Sequence, residues 1–376
     1  MSGVLLVTDI FPPDIGGPAT FIPALGTALV ELGHRVTVVC RAEDPSVPLQ
    51  EAWPFRLLRT PRQGGASRRP RLLWTLWREA RRHDVVFSNG LERATAWACQ
   101  AWGRSYTVKV VGDLAWERAR GEGLTELTLD EFQAAPAAGR PWRRWAAGQH
   151  AAARRARRVL TPSDYLRRLV LGWGVDPARA VTVHNGIRLD EFAGLAPRPR
   201  PAGVPLRVLW VGRMVNHKGL DFLLEALAGV DGVELDLAGD GPAAPRIRAL
   251  ARRLGVDGRV RFHGLSPRAD VLRHLARADV LVLPSEYEGL SHALLEAAAA
   301  GLACVASDRG GNPEIIEHGR SGLLWPFGRV DMLRETLARL ARDEDLRLGL
   351  ARGAKARSAA FDFRETVART IEQLGA

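Results

Sequence analysis

The sequence predicts an α/β protein made of two doubly wound, Rossmann-like domains in series. Three observations carry this prediction. Short apolar runs, such as VLLVT at 4–8, LRVLWV at 206–211 and VLVL at 280–283, alternate with segments of helical character, the pattern of buried parallel strands joined by crossover helices. The first strand of each half runs into a glycine-bearing turn, Gly16-Gly17 and then GRMVNHKG at 212–219, as at ligand-binding strand exits in such sheets. Finally, 376 residues is long for one core, and the proline-rich LAPRPRPAGVP at 195–205 breaks the chain in two, because proline fits neither helix nor strand interiors.

In the first half, the strand at 4–8 leads through the Gly16-Gly17 turn into a helix at 21–32, stopped by Gly33, and a second strand follows at 35–41. A glycine pair there lets backbone approach a ligand, or is a plain turn. Further strands are expected at 55–59, 84–88, 106–111, 159–161 and 180–183, with helices at 72–82, 91–102 and 164–171. The basic stretch 63–71 reads as a mobile loop, and 120–140 as a lid or disordered loop. Asp113 lies at a strand exit, where it orients an acceptor hydroxyl or accepts its proton, or else caps the next segment. The helix expected at 141–158 carries Trp142, Trp145 and six arginines. It reads either as resting on an anionic membrane surface or as placing core tryptophans beside a solvated basic face.

In the second half, strands are expected at 206–211, 233–238, 260–262, 280–283 and 302–306, with helices at 220–228, 243–254, 270–276, 292–300, 332–340, 346–358 and 361–374. Arg213 and Lys218 flank the first strand exit and suit a phosphate. The unit 280–316 reads strand, loop, helix, strand, loop, with Glu288 in the loop and Glu296 two turns into the helix, about 12 Å apart at most. A helix start suits phosphate and a carboxylate suits sugar hydroxyls. These features point to a nucleotide sugar, or to an ordinary βαβ unit with two solvated glutamates.

Composition limits the function classes. The chain is 46% hydrophobic and 25% charged, as a soluble globular protein is. No apolar run reaches a membrane span, and MSGVLLVTDIFPP reads as a first strand instead of a signal peptide. Cys40, Cys99 and Cys304 are far apart, so neither a disulfide framework nor a zinc site is indicated and a cytoplasmic location is expected. Net charge is +11, uneven along the chain: residues 1–199 hold 28 Lys+Arg against 19 Asp+Glu, and the remainder 25 against 23. An anionic partner of the first half and a biased arginine usage both account for this, since there are 50 arginines and 3 lysines. The basic residues do not have the spacing of a nucleic-acid module, so no nucleic acid is expected.

The stretch EGLSHALLEAAAAGLACVASDRGGNPEII at 288–316 resembles the donor-site signature of retaining glycosyltransferases of the GT-B fold, family four, the group 1 type. The resemblance is strong at 207–317, moderate at 1–40 and 159–192, and poor at 41–158. It implies an acceptor domain at 1–198 and a nucleotide-sugar donor domain at 205–360 facing each other across a cleft, with a helix at 361–376 packing back on the first. GRMVNHKG is similar to the family's GRxxxxKG, implying that Arg213 and Lys218 hold the diphosphate and assist its departure. Gly16 and Gly17 match the loop that faces donor phosphates and acceptor. The turn at Leu265 presents backbone to the base, Gly289, Leu290 and Ser291 meet the diphosphate, Glu296 binds ribose, and Glu288 binds the transferred sugar. Where many members place a histidine facing the acceptor, this chain has Gly112-Asp113, which leaves that role unassigned; His184 is assigned to a hinge.

The resemblance thus implies a metal-independent, cofactor-free retaining hexosyltransferase. Its donor would be a UDP- or GDP-sugar and its acceptor a hydroxyl of a glycan, lipid or small molecule, reached from the cytoplasm or at the inner membrane face. A phosphorylase or epimerase on the same fold, and a nucleotide-sugar-binding subunit or sensor without turnover, are the alternatives.

Overall fold

The computed structural model describes residues 2–14, 16–46, 52–62, 68–135, 141–201 and 203–375. The chain forms two compact units, Met1–His184 with Glu365–Ala376, and Asn185–Arg364.

The first unit holds a seven-stranded parallel sheet of β1 (Gly3–Thr8), β2 (Arg35–Ala42), β3 (Arg56–Pro61), β4 (Val85–Asn89), β5 (Thr107–Lys109), β6 (Arg158–Thr161) and β7 (Ala180–Thr182), in the order β3-β2-β1-β4-β5-β6-β7. All six residues of β1 are buried, because helices cover both sheet faces. Strand order reverses between β1 and β4, where Val4 pairs with Val36 on one side and Val85 on the other.

The second unit holds β8 (Leu206–Val211), β9 (Val233–Ala238), β10 (Val260–Gly264), β11 (Val280–Leu283), β12 (Ala303–Ser307) and β13 (Leu323–Trp325), all parallel, in the order β10-β9-β8-β11-β12-β13. Alternate residues serve opposite layers. Val208, Trp210, Val280 and Val282 enter one core, while Leu209, Leu281 and Leu283 enter the other, as the two-residue strand period requires. The order reverses between β8 and β11, the crevice where open α/β sheets bind ligands.

Several expectations change. The unit boundary falls at His184/Asn185, before the proline-rich segment. Ile187 and Phe192 are already in the second unit's core, and Arg347 donates to the Arg198 carbonyl at 3.2 Å, so 185–198 is held there. Residues 68–71 are helical within Arg68–Arg82, whereas 63–67 lie outside the described residues. The stretch 120–135 is not a bare loop. It completes the helix Leu114–Gly121 and forms the helix Leu129–Ala134, opened by a capping box of Thr128 and Glu131; 136–140 lie outside the described residues. At the helix Arg143–Arg155 the core alternative holds for Trp142, its N-cap, while Trp145 is half-buried beneath an arginine. Trp142 is buried against Phe132, with ring centroids 5.1 Å apart, and the Arg118 guanidinium lies 3.9 Å over the Trp145 ring. Strand β13 had no counterpart in the sequence reading. The three cysteines are free and buried, and burial pushes their thiols up to about 12.

Candidate functional site

The candidate site lies at the carboxyl ends of β8 and β11, at the strand-order reversal of the second unit. From β8 the chain passes through Gly212 and the exposed Arg213 into the short 3-10 turn Asn216–Lys218. Gly219 follows at φ 65°, and a Cβ there would meet the Pro284 carbonyl oxygen at 2.1 Å. Only glycine allows both that conformation and that approach. The contact brings the β8 exit loop against the β11 exit, and the Glu286 amide donates to the His217 carbonyl at 2.8 Å.

This places Lys218 beside Glu288. Lys218 Nζ lies 2.7 Å from Glu288 Oε1, and Ser285 Oγ donates to the same oxygen at 2.7 Å. Glu288 is buried, 8% exposed. Its main chain is fixed from the next strand exit, where Gly311 N–H donates to the Glu288 carbonyl at 2.8 Å. Gly310, at φ 60°, lies so close that a Cβ would stand 2.3 Å from that carbonyl oxygen. The sequence reading placed Glu288 and Lys218 at different parts of a ligand; the structure brings the two into direct contact. Ser285 was missed, although it stands three residues before Glu288, because serine at a strand exit has no distinguishing pattern.

Ser291 caps the helix His292–Ala300, its Oγ accepting from the Leu294 amide. Such a start presents main-chain N–H groups. Gly289 and the buried Leu290 connect Glu288 to that cap. Glu296 is the fifth residue of the helix, closer to its start than the two turns expected. It is held by Arg268, whose Nη1 lies 2.6 Å from Glu296 Oε1 while Nη2 lies 2.6 Å from Glu191 Oε2. The Arg268 guanidinium sits 5.5 Å over the Phe192 ring. Burial raises the Glu296 carboxyl above its ordinary range; Arg268 pulls it down and Glu191 pushes it up. Neither Arg268 nor Glu191 was anticipated, since both reach Glu296 through folding and not through local spacing. Leu265 projects from the turn after β10, 77% exposed.

Gly16, Gly17 and Asp113 belong to the first unit. Gly16 is the N-cap of the helix Gly17–Glu31, with no side-chain cap, at the exit of β1. Asp113 is fully buried and is the N-cap of Leu114–Gly121. Its Oδ1 accepts from the Ala115 and Trp116 amides at 2.8 and 2.9 Å, and its Oδ2 from Gln133 Nε2 at 2.7 Å. Of its two sequence alternatives, the side chain adopts the cap. A buried carboxylate that accepts from three donors is anchored in place.

Residues 199–357 match the family model described as glycosyl transferases group 1, and residues 16–186 the model of a glycosyl transferase 4-like domain. The lipopolysaccharide core biosynthesis glycosyltransferase LpsE of Rhizobium meliloti is 34% identical over 51% of this chain and 55% of its own. The GDP-mannose-dependent alpha-(1-6)-phosphatidylinositol monomannoside mannosyltransferase of Mycobacterium tuberculosis is 34% identical over 45% of this chain and 44% of its own. The chain therefore spans about half the length of these two curated relatives. Among solved structures, Anabaena HepE in complex with UDP and glucose is 20% identical, with a TM-score of 0.78 over 100% of both chains.

Proposed function

Because this chain belongs to the group 1 glycosyltransferases of the GT-B fold, we propose that it is a retaining hexosyltransferase using a UDP- or GDP-sugar and a hydroxyl acceptor. The observation that carries the reading is the Lys218–Glu288–Ser285 constellation at the strand-order reversal. Lys218 has three N–H donors. One is directed at Glu288, and in this proposal the others meet the donor diphosphate with the exposed Arg213 and the amides at the Ser291 cap. These cations balance the leaving group's charge without a metal. Glu288 accepts from hydroxyls of the transferred sugar and faces the positive charge that develops at its anomeric carbon. Glu296, oriented by Arg268, accepts from the ribose hydroxyls.

In the reaction, the bond between the anomeric carbon and the phosphate oxygen breaks, and the acceptor oxygen bonds to that carbon on the same face. The acceptor's proton passes to the departing phosphate. This route needs no protein base, which accords with Asp113 serving as a cap. Both nucleotides stay within the proposal, since one relative is named as GDP-mannose-dependent and HepE is described with UDP and glucose. The acceptor class is a glycan, a lipid-linked glycan or a small polyol.

Thermal-shift titration against a panel of UDP- and GDP-sugars tests the donor assignment. One nucleotide series should raise the midpoint, because a ligand of the native state stabilises it, and Lys218→Ala and Glu296→Ala should each weaken the shift. Unchanged shifts in both variants would sink the site. The anomeric configuration of the product, read by NMR, tests retention: an inverted linkage excludes the mechanism.

A further inference from the structure

The first unit carries an apolar, basic surface that the sugar-transfer chemistry does not use. It is built on the helices Arg68–Arg82 and Glu92–Gln100. The first of these is apolar on two sides. Leu72, Thr75, Leu76 and Ala80 are buried on one side. Pro70, Leu73, Trp74 and Trp77, at the i, i+3, i+4, i+7 spacing of a second stripe, line an open groove of about 650 Å³ with Trp97 of the neighbouring helix. Trp74 is 55% exposed and Trp97 49%, which is unusual for the largest apolar side chain.

Arginines border the groove. Arg78 lies 4.7 Å over the Trp74 ring, and Arg81 lies 4.9 Å over that of Trp102. Arg71 and Arg82 are exposed beside them. The acidic side chains of the two helices, Glu79 and Glu92, are both buried. Glu79 pairs with Arg78 at 2.9 Å from beneath and so offsets part of the charge, but it presents no carboxylate outward.

We propose that this face docks on an anionic lipid bilayer, with Trp74 and Trp97 at headgroup depth and Arg71, Arg78, Arg81 and Arg82 against lipid phosphates. The charge decides the occupant. A neutral apolar partner would leave four guanidinium groups facing it, whereas a bilayer offers an apolar layer beneath an anionic one, in the order in which this face presents indoles and arginines. Indole rings favour that interface, and basic residues near an anionic surface add to binding. The surface is built on helices other than Arg143–Arg155, which the sequence offered as one alternative for a membrane contact and beside which Trp142 is buried. Among the described residues no helix is long and apolar enough to cross a membrane, so the contact is peripheral.

The inference is independent of the donor assignment, and its test measures no catalysis. The full chain is sedimented with vesicles of phosphatidylcholine alone, and with vesicles containing about 30 mol % phosphatidylglycerol. Trp74→Ser/Trp97→Ser and Arg81→Gln/Arg82→Gln are compared with the parent, and circular dichroism verifies folding. Binding to the anionic vesicles alone is expected, with a loss of at least about tenfold in each double variant. Three results would overturn the proposal: no binding to anionic vesicles at low salt, equal binding to neutral ones, or binding that both folded variants retain. Self-association abolished by Trp74→Ser/Trp97→Ser, without vesicle binding, would instead assign the face to a second copy and equally end the lipid proposal.

Discussion

Lys218 Nζ and Glu288 Oε1 stand 2.7 Å apart although 70 residues separate them. Lys218 leaves from β8 and Glu288 from β11, and the two strands are neighbours only because the sheet order reverses there. The side chains are 19% and 10% exposed, so each depends on the other for compensation of its charge. Lys218→Met should lower stability by about 1–3 kcal/mol, since it leaves a buried carboxylate with Ser285 alone. Lys218→Met/Glu288→Gln should recover most of that loss while remaining inactive. Urea unfolding combined with a donor-binding assay separates the two effects; a double variant no more stable than the single one would exclude the coupling.

Glu296 is raised by burial and held down by Arg268. In its proposed role as a ribose acceptor it works ionised, so donor affinity should fall as pH drops through its raised value. Removing Arg268 takes away the charge that lowers it, so in Arg268→Ala the fall should begin at higher pH, with Arg268→Lys in between. Donor KM measured across pH checks this, and identical profiles in all three proteins would contradict it.

Asp113 caps the helix Leu114–Gly121 and accepts from Gln133. Asp113→Ala should therefore cost about 1–2 kcal/mol of stability, and Asp113→Ser, which keeps a capping oxygen, should cost less. In each folded variant the pH dependence of kcat should match the parent. Loss of one limb of that profile at parental stability would restore a proton-transfer role.

Gly219 combines φ 65° with a Cβ position 2.1 Å from the Pro284 carbonyl oxygen. Gly219→Ala is expected to push the Lys218 turn away from the β11 exit, costing roughly 1–3 kcal/mol and weakening donor binding. Parental donor affinity in this variant would show that the close approach does not position the site.

Lys109 is 2% exposed, with Nζ 4.2 Å over the Phe21 ring, and burial brings it down to about 7. The sign follows from linkage. The unfolded chain keeps the lysine protonated up to about 10.4, while the folded state releases the proton near 7. Stability should therefore rise with pH between those values, and the gain is lost as pH falls to 7. Lys109→Met should be more stable than the parent at pH 7, by about 1–4 kcal/mol, with a flatter profile up to pH 10. A parental slope in urea midpoints across that range would refute the assignment.

What the sequence determined by itself was whatever depends on local period and local chemistry. The apolar runs at 4–8, 206–211 and 280–283 are buried strands because parallel strands are covered on both faces. The glycine turns mark strand exits, and Arg213, Lys218, Glu288 and Glu296 stand at or just beyond the exits of two adjacent strands. Only the tertiary structure decided which side chains meet. Lys218 reaches Glu288, Arg268 joins Glu296 to Glu191, and Asp113 turns inward to its helix. It also decided that Trp142 is core whereas Trp74 and Trp97 face outward, although all three sit in arginine-rich or helical sequence. The physical reason is common to these cases. Period and propensity specify that a residue lies on a helix or strand, but its partner and its exposure follow from strand order and from the layer packed against it.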